Sequence, residues 1–144
     1  MENIDSTIVG SKSTAIDTTN HSIIKKIAVV LYYVMFIYSG FNKILHFKNK
    51  VKILGNKTHL PEVINSLGMI GVIILEIIGS LIIIIHKMNI ITIYKTVVSV
   101  IYTLFLVFLV VVTILYHPPT HKKIIPFLSN VTHFAGLLYM FSDI

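Results

Sequence analysis

Residues Thr96–Tyr116 read TVVSVIYTLFLVFLVVVTILY and carry no charged side chain. As an α-helix rising 1.5 Å per residue, this segment is about 30 Å long, which matches the hydrocarbon thickness of a bilayer. Pro118 and Pro119 follow directly and end the segment, because proline lacks the N–H that continues a helix. A membrane-spanning strand would need only about 9–11 residues of alternating polarity. The segment therefore predicts a transmembrane helix.

Three further apolar runs have a similar character. The second begins just after Pro61, a residue that suits the first turn of a helix, and the fourth is shorter and more polar than the others. Helices satisfy their own backbone polar groups in lipid, whereas open sheets do not. We therefore predict an all-α fold, a membrane-spanning four-helix bundle over residues 23–144. Its spans are expected at about 27–45, 63–85, 96–116 and 126–141.

The chain before the first span is polar. Residues 1–22 are rich in Ser, Thr and Asn and contain no apolar run, which predicts a flexible N-terminal tail without a signal peptide. The segment between the first two spans is rich in lysine and is interpreted as a connector. An even number of spans predicts that both termini lie on one side of the membrane. The lysine distribution does not decide which side or which membrane this is.

Composition excludes an ordinary soluble domain. The chain is 55% hydrophobic and 12% charged, whereas soluble domains carry about 25% charged residues. Its 12 basic residues, all lysine, outnumber 6 acidic ones and lie mainly at the ends of apolar runs. Lysines in such positions reach lipid headgroups, so the predicted partner is the bilayer and not nucleic acid. The chain has no cysteine, which excludes thiol redox chemistry.

Glu76 is the one acidic residue well inside a predicted span. A charge at the bilayer centre costs about 2.5–3.5 kcal/mol on insertion scales. Gly79 and Ser80 lie one turn further on, and small residues on that face let a neighbouring helix approach. Glu76 is therefore expected to point into the bundle. Two interpretations remain open, a hydrogen-bonded structural carboxyl and a proton or ligand site.

Topology predicts that other polar residues meet near one membrane face. The first and third spans end there and the second and fourth begin there. The histidines among these residues suit either the headgroup layer or a metal or haem, but none forms a recognised ligand pair, so no metal site is predicted. No catalytic or cofactor motif is present either. The predicted polar pocket consists of Asn42, Lys43, Glu76, His117, Asn130 and His133.

The order of these features resembles the DoxX family of small membrane proteins. The segment Ser39–Ile44, SGFNKI, is similar to the end of that family's first helix, and Glu76–Gly79, EIIG, is similar to a stretch of its second. His117, Asn130 and Gly136 stand in matching order, so the resemblance covers about residues 27–142. The chain departs from the pattern in having no arginine after the second span, where Lys87 is the nearest candidate.

The resemblance implies a role as well as a fold. DoxX proteins include subunits linked to quinone-dependent sulfur oxidation and to oxidative-stress complexes. By carry-over, Lys43, Glu76 and His117 occupy the family's polar positions, and a quinone headgroup could accept hydrogen bonds from Lys43, His117 or Asn42. The family's fold is better defined than its activity.

Three functions follow as hypotheses. The first is a non-catalytic subunit or organiser of a membrane complex, with a protein partner or a second copy of the chain and a possible link to quinone. The second is a quinone-interacting oxidoreductase, which the absence of a cofactor motif disfavours. The third is a small proton or solute transporter built around Glu76, for which four helices are few unless the protein oligomerises.

Overall fold

The computed structural model describes residues 5–119 and 124–144, with side chains from residue 22 onward. The described chain contains helices and no strand. We label the helices α1 to α6 and treat a short π-helical segment, Leu75–Gly79, as the link between α3 and α4. The helices are α1 (Asp5–Leu45), α2 (Phe47–Thr58), α3 (Glu62–Ile74), α4 (Ser80–Lys87), α5 (Lys95–Tyr116) and α6 (Ile124–Phe141).

Four helical stretches in the described chain are long and apolar enough to cross a membrane. The second of them is continuous from α3 through the π-helical segment to α4. This confirms the predicted all-α membrane bundle. The four stretches are Ser22–Leu45, Glu62–Lys87, Lys95–Tyr116 and Ile124–Phe141.

Helix α1 begins much earlier than the sequence predicts. Its backbone is helical from Asp5, so α1 includes residues 5–22, where the sequence predicts a polar tail. The segment contains no proline, and a helix that is already nucleated by a membrane span extends outward at low cost. Residues 1–4 lie outside the described part. The division of the chain into a tail and a membrane domain stays a prediction.

The lysine-rich connector is also helical, which the sequence analysis missed. Helix α2 packs against α3 through Asn65, whose side chain is buried. The Asn65 amide donates to the Leu60 carbonyl oxygen at 2.8 Å and accepts a hydrogen bond from the Thr58 hydroxyl at 2.8 Å. Between the helices, His59 adopts a left-handed conformation with φ 56°. These contacts fold the connector back onto the start of the second span.

An aromatic cluster joins the first and third spans. The rings of Phe36 and Phe105 lie 5.0 Å apart between centroids, and Tyr33 lies 5.6 Å from Phe105 and 6.4 Å from Tyr102 in edge-on arrangements. Such pairs contribute about 0.5–1.5 kcal/mol each beyond their buried area. All four side chains are almost fully buried. The core of the bundle is therefore built mainly from α1 and α5.

Two glycines allow the second span to lie close to its neighbours. A Cβ atom on Gly40 would lie 2.6 Å from Ile77 Cγ1 and 3.3 Å from Glu76 Cβ. A Cβ atom on Gly79 would lie 3.2 Å from Ile101 Cγ2 and 3.2 Å from Phe105 Cε2. Small residues permit this approach, which dispersion and polar contacts then stabilise in lipid. Gly40 and Gly79 thus bring α1, the π-helical segment and α5 together.

We expect Gly40→Ala to destabilise the bundle by about 1–3 kcal/mol, because the added methyl overpacks the contact with Ile77. Gly68→Ala is the matched control, since a Cβ atom there meets no atom within 4 Å. Unfolding of both variants in the same mixed micelles measures the difference. Equal stability of the two variants would show that α1 does not depend on this close approach.

Candidate functional site

A buried ion pair joins the first and second spans. The Lys43 ammonium lies 2.7 Å from Oε1 and 2.7 Å from Oε2 of Glu76. Lys43 also donates to the Ser39 hydroxyl oxygen at 2.6 Å, and Ser39 in turn donates to Glu76 Oε1 at 3.2 Å. The Glu76 side chain is 2% exposed and that of Lys43 is 19% exposed. Ser39, Lys43 and Glu76 form what we call the ion-pair cluster.

The local sequence explains how the cluster is assembled. Ser39 and Lys43 are four residues apart and therefore share one face of α1. Gly40 lies on the neighbouring part of that face and leaves room for the Glu76 backbone and Cβ atom. Glu76 itself lies in the π-helical segment, a local widening of the helix that often marks functional sites. The two helices can therefore place opposite charges in direct contact.

The cluster neutralises its own charges. Burying one charge in lipid is costly, and a bidentate pair with further hydrogen bonds offsets much of that cost. Both Glu76 oxygens and the Lys43 ammonium are engaged within the cluster. Removing either partner would leave the other as an unpaired buried charge. Chemically, the arrangement resembles a closed contact between helices more than an open binding site.

Asn130 and His133 of the predicted polar pocket contact residues other than Lys43 and Glu76. Asn130 on α6 donates to the Thr113 hydroxyl oxygen on α5 at 3.1 Å. The His133 ring lies 5.8 Å from the Tyr32 ring, and its backbone carbonyl oxygen accepts a hydrogen bond from the Tyr32 hydroxyl. These contacts attach α6 to α5 and α1.

The contacts of His117 and Asn42 are also with residues other than Lys43 and Glu76. His117 caps the C-terminal end of α5, with its ring 6.5 Å from that of Tyr116. The backbone oxygen of Asn42 lies 3.1 Å from Nδ1 of His46. Of the six residues, the structure brings Lys43 and Glu76 into direct contact. A functional role for the predicted polar pocket stays a prediction.

Two cavities lie on other parts of the bundle. One, of about 490 Å³, lies between the start of the first span and the end of α6, and the other, of about 210 Å³, lies between α5 and α6 and includes Asn130. Neither is lined by Lys43 or Glu76. Within residues 5–119 and 124–144, no group of three His, Asp or Glu side chains is arranged to hold a metal ion.

Sequence reasoning missed three buried hydroxyl groups. Tyr33, Ser80 and Tyr102 are fully buried, and none of their hydroxyls makes a hydrogen bond of ordinary length and angle in the described part of the chain, although Tyr33 and Tyr102 lie close enough to interact with each other. Buried polar atoms without partners are rare in folded proteins. Ser80 was interpreted only as a small residue one turn after Glu76, and its hydroxyl was the signal that could have been used. The two tyrosines give no such signal, since their spacing is also that of an aromatic core.

We expect the effects of Glu76→Gln and Lys43→Met on stability to be strongly coupled. Breaking a buried ion pair by removing one partner costs about 3–5 kcal/mol, because the other charge is left unpaired. The double variant should therefore be less destabilised than the sum of the single variants by about 1–3 kcal/mol. Glu76→Lys should be the worst of the set, since it places a second ammonium beside Lys43.

Denaturant unfolding in mixed micelles measures this double-mutant cycle. Lys52→Met, at an exposed position of α2, is the control. Additive effects of the two substitutions would mean that the contact does not stabilise the bundle. Equal stability of Glu76→Lys and Glu76→Gln would lead to the same conclusion.

Comparison with known proteins corrects the family expected from the sequence. Residues 21–121 match the family model described as methylamine utilisation protein MauE, and no characterised relative or solved structure matches the chain. The DoxX assignment was therefore wrong. Its short motifs mark a glycine-mediated helix contact and an ion pair, which different membrane bundles can share. Since the match covers most of the chain, this multi-pass membrane protein belongs to the MauE family.

Proposed function

We propose that this protein is a non-catalytic accessory subunit of a membrane complex and that α6 contacts the partner. The description of the family names a pathway, methylamine utilisation. We infer from it that this protein acts together with other membrane proteins. The observation that carries the proposal is the uncovered surface of α6. The partner would be a transmembrane helix of a different protein.

Helix α6 is the least covered of the four spans. In its most apolar 18-residue stretch 6% of the residues are buried, against 22–28% in the other three. It is also the least hydropathic of the four. Ser129 and Thr132 are exposed on it, together with Leu128 and Val131. Small polar side chains are enriched where membrane helices contact each other, so this surface suits another helix better than lipid alone.

The family comparison adds a second support. The matched residues end at 121, before α6 begins at Ile124. The core that carries the ion-pair cluster therefore lies within the matched segment, and the uncovered span lies outside it. A contact through α6 would let this chain recognise its own partner while keeping the family's bundle.

The ion-pair cluster also bears on the redox hypothesis. A quinone contact was implied by the DoxX resemblance, and that resemblance is overturned. Lys43 would have been a donor to the quinone, but its ammonium is bound to Glu76 and Ser39. We therefore propose neither a quinone site nor an oxidoreductase activity for this protein.

One observation favours proton transfer as a second candidate function. The hydroxyls of Tyr33, Ser80 and Tyr102 are buried within the same bundle as Glu76. Buried waters commonly satisfy such groups and can connect them. A hydrated path from Glu76 through these hydroxyls would then conduct protons. This candidate function requires the Glu76 carboxylate to take up and release a proton while it is in contact with Lys43.

We expect a photo-crosslinking residue at Thr132 to capture a different membrane protein in cells, because that position faces away from the bundle. The same residue at Ile74, which is 51% exposed on α3, is the control and should capture only lipid or give no specific product. Mass spectrometry of the crosslinked band identifies the partner. A crosslinked dimer of this chain, or equal products from both positions, would overturn the proposal.

Proton flux in proteoliposomes tests the second candidate. Glu76→Gln should abolish acidification of a trapped pH-sensitive dye, and Ser80→Ala should reduce it at least severalfold because the path loses one hydroxyl. Thr103→Ala is the control, since that hydroxyl is exposed on the outside of α5. Absence of flux in the unsubstituted protein, or flux that survives Glu76→Gln, would rule this function out.

A further inference from the structure

A cavity of about 490 Å³ opens at the end of the bundle where α1 enters its span and α6 ends. Pockets that hold small molecules are typically about 300–1,000 Å³, so it is large enough for part of a ligand. Its walls come from α1, α6 and the end of the second span. It is well separated from the ion-pair cluster, whose residues do not line it.

The mouth of the cavity is strongly basic. Lys25, Lys26 and Lys87 line it, and Asp143 is the carboxylate among the lining residues. Asp143 Oδ2 lies 4.0 Å from the Lys25 ammonium and 3.6 Å from that of Lys87. The contact between Lys25 and Asp143 joins two exposed side chains and is therefore weak, whereas the Lys87 side chain is 15% exposed and also donates to the Asp143 carbonyl oxygen at 3.1 Å. Three lysines and one carboxylate at the mouth leave a net positive site that attracts an anion.

The deeper part of the cavity is apolar. Ala28, Val29 and Met140 line it, and Tyr32 closes it with its hydroxyl bound to the α6 backbone. Gly136 makes this possible, because a Cβ atom there would lie 3.2 Å from the Tyr32 ring. From Lys25 to Tyr32 the helix rises about 10 Å, enough to pass from the headgroup layer into the hydrocarbon.

The geometry points to a binding site for one anionic phospholipid, with its phosphate among Lys25, Lys26 and Lys87 and an acyl chain along the apolar floor. Basic pockets between transmembrane helices are known binding sites for such headgroups. A soluble phosphate would use the lysines but leave the apolar floor exposed to water. A zwitterionic lipid would use the floor but bring a positive group near the lysines. An anionic lipid satisfies both parts of the cavity.

Native mass spectrometry of the full chain in uncharged detergent tests the assignment. Phosphatidylglycerol is titrated against phosphatidylcholine with the same acyl chains, and glycerol phosphate serves as the soluble anion. We expect phosphatidylglycerol to bind about tenfold tighter than phosphatidylcholine, and glycerol phosphate not to compete at matched concentration. Equal binding of the two lipids, or efficient competition by glycerol phosphate, would overturn the proposal.

Charge substitutions separate this site from general surface attraction. The triple variant Lys25→Gln, Lys26→Gln and Lys87→Gln should lose about tenfold or more in affinity for phosphatidylglycerol. The matched control replaces Lys48, Lys50 and Lys52 of α2 by Gln, which removes the same charge at another part of the bundle. An equal loss in the control would mean that only net charge attracts the lipid.

Two further variants keep the proposal testable if the triple variant does not fold. Asp143→Asn should raise the affinity severalfold, because Lys25 and Lys87 then face the phosphate alone. Ala28→Phe should lower it without any change in charge, since the ring fills the apolar floor, whereas Leu31→Phe on the exposed face of α1 should not. A loss of affinity in Asp143→Asn, or no effect of Ala28→Phe, would contradict the site.

Discussion

The contact between Lys43 and Glu76 is the constraint on which the arrangement of the first two spans depends. A carboxylate cannot remain ionised and unpaired inside a bilayer without a large free-energy cost, so its partner has to come from a neighbouring helix. Lys43 donates a hydrogen bond to each oxygen of the carboxylate, and Ser39 donates a third to Oε1. Gly40 allows the two helices to approach at that level, because a Cβ atom there would lie 2.6 Å from Ile77 Cγ1 and 3.3 Å from Glu76 Cβ. The π-helical segment places Glu76 at the same point.

The polar groups of the protein divide by depth. The ion-pair cluster and the hydroxyls of Tyr33, Ser80 and Tyr102 lie inside the bundle, where each depends on a few specific contacts. Lysines of α2 and of the 490 Å³ cavity lie at the surface, where water and headgroups can solvate them. This division explains why a chain with 12 basic residues can still form an apolar membrane bundle. Charges in the interior pair with each other, whereas charges at the periphery remain accessible to water and headgroups.

Helix α6 contributes to both surfaces that we propose as binding sites, one for a partner helix and one for a lipid. Its outer face is poorly covered and carries exposed polar side chains, which suits another transmembrane helix. Its last turn, together with α1, borders the basic cavity, which suits an anionic lipid. Tyr32 ties α6 to α1 through the His133 carbonyl oxygen, so the two surfaces share one attachment to the bundle. An accessory role within the MauE family is consistent with functional contacts at the edge of the bundle.

Four helical spans could be predicted from the sequence alone, because an uncharged segment such as Thr96–Tyr116 has only one way to satisfy its backbone in lipid. The inward direction expected for Glu76 also follows from the cost of exposing a carboxylate to lipid, and the structure confirms it. The sequence did not predict that residues 5–22 and α2 are helical, since polar segments take their structure from the helices that they extend or pack against. Only the tertiary structure decided that Lys43 pairs with Glu76, while Asn130 contacts Thr113 and His133 contacts Tyr32. Membrane topology sets the depth of each residue, but helix rotation and packing decide which side chains touch.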